Sequence, residues 1–79
     1  MNYSTDVRKG INYVRQNVDM ADVERAMTII DRQRCPLCQA DPELDSQIYD
    51  LMEEYGEDND LPEFWWISEI TEDDILFEL

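Results

Sequence analysis

From residue 41 to residue 79 the chain carries fifteen Asp and Glu residues and not one Lys or Arg. Folded surfaces ordinarily disperse both signs and couple them in i, i+4 pairs, so this segregation limits what the chain can become. Residues 1–40 hold all six cations (Arg8, Lys9, Arg15, Arg25, Arg32, Arg34) against five acids, and the halves carry +1 and -15 of the net -14. Such an imbalance implies a cationic partner, attraction between the halves, or both. It repels nucleic acid and anionic lipid, which argues against a direct nucleic-acid binder or a membrane-surface protein.

The charge does not imply disorder, because 43% of the residues are hydrophobic and that is near the globular average. Seventy-nine residues allow one domain, residues 1–79, with one modest core. No apolar run approaches the ~18 residues of a membrane span, and the N-terminus lacks the basic-then-apolar build of a signal peptide. With two cysteines as free thiols, a reducing cytoplasm is the expected location. A chain without histidine and with little room for a shaped pocket is expected to be non-enzymatic and free of cofactors.

Apolar spacing predicts an all-α fold: a small helical bundle of three main helices plus one or two short C-terminal ones. Val7, Ile11, Val14 and Val18 share a helical face behind a cap at Ser4 or Thr5, with Gly10 weakening the interior. Asp19 caps a second helix whose stripe is Val23, Met27 and Ile30, with Ala26 alongside, and Cys35-Pro36 stops it. Asp41 and Pro42 open a third helix through Leu44, Ile48, Leu51, Met52 and Tyr55, and Gly56 is expected just past its end. For 61–70 a short helix is expected, with Asp60 and Glu63 as a capping box and Phe64, Ile67 and Ile70 on one face; a strand is the rival reading. Thr71 to Asp74 repeat the capping pattern before Ile75, Leu76, Phe77 and Leu79.

Opposite the apolar stripe of the third helix lie Glu43, Asp50, Glu54 and Glu57, with Glu53 beside them and Asp58 and Asp60 continuing into the loop. A helical turn advances about 5.4 Å, comparable with the spacing of phosphates along a strand of duplex DNA. A rigid array of this kind suits a cationic groove, although acids also serve as a merely solvated face. Phe64, Trp65 and Trp66 are three rings in a row that no helix can bury on one face, so Trp65 and Trp66 are expected to supply an aromatic anchor within an acidic rim.

Cys35 and Cys38 have metal spacing but supply half a tetrahedral zinc shell. Asp31, Asp41 or Glu43, or a second copy of the chain, would have to complete it; the bland reading is two small buried residues in an interhelical turn. Redox chemistry fits less well, since the pair follows a helix and Cys35 is expected at the negative end of its dipole, with only Arg32 and Arg34 nearby to favour ionisation. Asp58, Asn59, Asp60 and Glu63 are hard oxygen donors without the register of a calcium loop. The expected function is therefore that of an inhibitor or adaptor presenting acids to a basic surface, as nucleic-acid mimics of phage or mobile-element origin do by analogy. The alternative is a small zinc module on Cys35 and Cys38, perhaps completed by dimerisation.

Overall fold

The computed structural model describes residues 3–79, which form five α-helices. Helix α1 spans Thr5–Asn17, α2 Met20–Gln33, α3 Leu37–Ala40, α4 Pro42–Asp58 and α5 Glu72–Glu78. Local capping chemistry sets most of the starts. The Ser4 hydroxyl accepts from the Val7 amide at 3.3 Å, and Asp19 accepts from Ala21 at 2.9 Å. Asp41 accepts from Leu44 at 3.1 Å with Pro42 in the first turn, and Thr71 and Asp74 form a reciprocal capping box. Each cap satisfies a backbone donor that the helix itself cannot.

Helix α4 is the centre of the bundle, with α1, α3 and α5 against it and α2 resting on α3 and α5. Its buried residues Leu44, Ile48, Met52 and Gly56 recur every fourth position, a stripe that meets Val7, Gly10, Ile11 and Val14 of α1. Leu37 of the short α3 and Ile75 and Leu76 of α5 complete the core beside Val23, Ala26, Trp66 and Ile70. Helix α2 stops at Gln33, where Arg34 turns left-handed at φ 52°. This falls ahead of Cys35, whose backbone the following proline biases away from helix.

Polar contacts join the ends. The Glu69 carboxylate accepts from the Ser4 amide at 2.9 Å and the Ser4 hydroxyl at 2.8 Å, fastening the 61–70 segment to the start of α1. Arg15 donates to the Glu78 carbonyl at 2.7 Å, and Asp73 accepts from the Leu37 amide at 3.3 Å. Helix α5 is thus tied to both α1 and α3.

Two expectations are corrected. Residues 63–69 form successive turns, and no part of 61–70 is helix or strand. Asp60 and Phe64 are left-handed at φ 57° and 56°, so Asp60 caps nothing there. Phe64 and Ile67 are exposed while Ile70 is buried. Trp65 and Trp66 would be about 100° apart on a helix, but both must reach the interior, and turns let them. The second correction is Gly56, which does not follow the helix: α4 runs on to Asp58, and Gly56 is buried within it. An ideal Cβ at Gly56 would meet Trp65 Cδ1 and Nε1 at 2.6 Å, so the residue is a slot for an indole.

Candidate functional site

Helix α4 is roughly 26 Å long at 1.5 Å per residue, and its outer face carries the acids singled out from the sequence. Glu43, Asp50, Glu54 and Glu57 are exposed along one ridge, Asp58 is exposed beside them, and Asp60 is exposed just beyond the helix. Glu53 differs: it is half-buried on the flank, and its Oε1 has no hydrogen-bond partner among the described residues.

Among the described residues the one ion pair is Arg25 with Asp22, inside α2. The ridge is therefore not neutralised by close pairing with the cations of α1 and α2, and direct salt bridges do not realise the attraction between halves. The last turn of α4 has no basic residue and ends in Glu57 and Asp58. Acids there oppose the helix dipole, at about 0.3–1 kcal/mol each. Folding gains nothing from that placement.

The tyrosines register the field. A hydrogen bond to Glu54 raises Tyr13 above the ordinary phenol value of 10.0, helped by desolvation and the charge of Asp58. Tyr49 is raised by desolvation, then by the charge of Glu53 and a hydrogen bond to it, then by Glu63 and Glu72; desolvation likewise leads for Tyr55, with Asp6, and for Tyr3, with Glu78 and Asp74. Asp45, in the first turn of α4, is pushed above 3.8 by burial and then by Glu72 and Asp73 across the α4–α5 contact. A carboxyl whose folded pKa is raised binds its proton more tightly in the folded state. Its charged form is destabilising at neutral pH, and the loss is relieved as pH falls through the raised value. The melting temperature is accordingly expected to rise as pH is lowered from neutral into the mildly acid range and, at neutral pH, with added salt, which screens like charges. A melting temperature that falls in both series would show attraction dominating instead.

One aromatic assignment changes. Trp66 is 0% exposed and belongs to the core, so it cannot anchor a partner. Its ring meets Tyr49 edge-on at a centroid distance of 5.3 Å and Trp65 at 5.9 Å. Trp65 is half-buried, wedged between α1 and α4, and its indole N–H donates to the Met52 carbonyl at 3.0 Å. The aromatic rings that face solvent are Phe64, 42% exposed, and Phe77, 53% exposed. Sequence reasoning named Phe64 as part of the triplet but did not single it out, and the signal available was only that three consecutive rings cannot all be buried.

Cys35 is half-buried and Cys38 exposed, both free thiols, so they are not the buried pair of the bland reading. Among the described residues no three or more His, Cys, Asp and Glu side chains gather into a group able to hold a metal ion. Asp31, Asp41 and Glu43 thus do not complete a shell around the cysteines, and the 58–63 donors do not form one of their own. Asp41 is already committed to the Leu44 amide. No helix of the described residues is long and apolar enough to cross a membrane. Compared with known protein families, curated proteins and solved structures, the chain finds no match in any of the three.

Proposed function

We propose that the chain is a non-enzymatic inhibitor or adaptor whose α4 ridge occupies a cationic groove on a protein partner, in the manner of nucleic acid. The observation that carries this reading is the exposed ridge of Glu43, Asp50, Glu54, Glu57, Asp58 and Asp60 without a paired cation among the described residues. Acids held on a rigid helix at the dipole's unfavourable end cost folding free energy, a cost that selection for binding would offset. Association would release the partner's counterions and weaken steeply with salt, as phosphate binding does. A groove lined with Lys and Arg and shaped for a duplex is the matching surface.

The test is a pull-down from lysate of the cells that make the chain, with salt varied and duplex DNA as competitor. Recovery of a nucleic-acid-binding protein displaced by both is expected. With that partner purified, Asp50→Lys/Glu54→Lys/Glu57→Lys should weaken binding by about a hundredfold or more, since reversed charges repel as well as fail to attract. Lysine is a good helix former and suits the end of α4, so the circular dichroism spectrum should stay helical. Unchanged affinity in the folded variant would sink the reading.

A further inference from the structure

At the end of α4 the chain folds back on itself around a half-open cavity of about 340 Å³, a size within the usual range for small ligands. Three carboxylates, Glu53, Glu57 and Glu63, share its lining with Pro62, Phe64 and Trp65. We propose that this cavity receives an arginine side chain of the basic partner, a step that deepens the reading above and rests on it.

The chemistry of the walls selects the occupant. Three acids reject an anion, and a purely apolar group would desolvate them without return. A guanidinium satisfies both kinds of wall: it is planar, weakly hydrated, carries five N–H donors for carboxylates, and stacks on aromatic faces. A lysine ammonium brings one point charge and a tighter hydration shell, and it fits less well.

The aromatic wall is set before any ligand arrives. Trp65 is held by its bond to Met52 and by the closeness of Gly10 and Gly56, so its indole N–H is already used and its ring is fixed. Phe64 packs against Tyr49 at a centroid distance of 5.7 Å yet leaves 42% of its surface open. A preformed wall lowers the ordering cost of binding. The raised Tyr49 phenol, which Glu53 and Glu63 both push upward, is consistent with a negative potential around this corner.

The experiment titrates blocked Gly-Arg-Gly, Gly-Lys-Gly and Gly-citrulline-Gly peptides into the intact chain at low salt, followed by nitrogen–proton NMR. The arginine peptide is expected to shift the Trp65 indole N–H and the 61–65 amides saturably. The lysine peptide should bind about threefold or more weakly, and the uncharged citrulline peptide should not saturate. Glu63→Gln, at an exposed position, should weaken arginine binding by about threefold to tenfold, while Glu24→Gln, exposed on α2 and outside both cavity and ridge, leaves it unchanged. Equal binding of Arg and Lys peptides, with shifts spread evenly from Glu43 to Asp58, would overturn the cavity while leaving the ridge as a cation-binding face. Absence of any shift at cavity or ridge would overturn both.

Discussion

Replacing Trp66 with alanine is expected to unfold most of the population at room temperature. The side chain is 0% exposed and sits among Tyr49, Phe64 and Trp65. Removing a buried aromatic of this size costs about 3–5 kcal/mol through lost transfer energy and the cavity left behind. A single core in a chain of 79 residues rarely supplies more than about 3–5 kcal/mol in all. The two quantities are of the same size, so the variant should sit at or beyond its midpoint without denaturant. Trp66→Phe separates area from polarity. The indole Nε1 of Trp66 is buried with no hydrogen-bond partner among the described residues, and an unmet donor costs about 1–3 kcal/mol. Phenylalanine removes that donor with part of the ring, so its net effect should stay within about 1 kcal/mol. Urea denaturation followed by far-ultraviolet circular dichroism checks both. A Trp66→Ala variant losing less than about 1 kcal/mol would mean that the ring does not lie where the core needs it.

The contrast between α1 or α4 and the 61–70 segment shows which information was local. Asp41-Pro42, Thr71 with Asp74, and the fourfold recurrence of Leu44, Ile48 and Met52 act within one or two turns of the chain, and the helices follow them. The exposed ridge was legible for the same reason: once the buried stripe of α4 is known, helical geometry places Glu43, Asp50, Glu54 and Glu57 on the other side. Residues 61–70 obey distant partners instead. Glu69 answers to Ser4, Trp65 to Met52, and Trp66 to the assembled core. Asp60 and Glu63 have capping-box spacing, but those contacts outweigh a local bond of about 1 kcal/mol. Gly56 departs from its expected place because a glycine after an apolar stripe signals a helix end by its freedom of φ, whereas here it is used for its missing side chain. The cavity was not legible at all, since it depends on the path of the turns that bring Glu63 and Phe64 back to Glu53 and Glu57.

That use of glycine leads to a prediction whose sign opposes ordinary helix propensity. Alanine in place of a glycine in a helix interior normally stabilises by about 0.5–1 kcal/mol. At Gly56 the new Cβ would lie 2.6 Å from Trp65 Cδ1 and Nε1, closer than carbon contacts allow. The indole has no free direction in which to yield. Its far edge already lies against α1, where a Cβ at Gly10 would be 2.9 Å from Trp65 Cη2 and 3.1 Å from Cζ2. Moving it would also stretch the bond to the Met52 carbonyl, now 3.0 Å. Overpacking of this kind costs about 1–3 kcal/mol, and loss of the hydrogen bond adds about 1 kcal/mol. Gly56→Ala should therefore lower stability by about 1–3 kcal/mol after the propensity gain is subtracted, and the melting temperature by roughly 5–20 °C for a domain of this size. In a Trp65→Leu background, already weakened by its own substitution, the obstacle is gone and Gly56→Ala should become neutral or stabilising. The double-mutant cycle then gives a coupling of about 1–4 kcal/mol between residues 56 and 65. Gly10→Ala should show the same reversal with a smaller amplitude, because its contacts are less severe. If Gly56→Ala stabilised the unmodified background, the indole could not occupy the slot between α1 and α4, and the fixed wall of the arginine cavity would go with it.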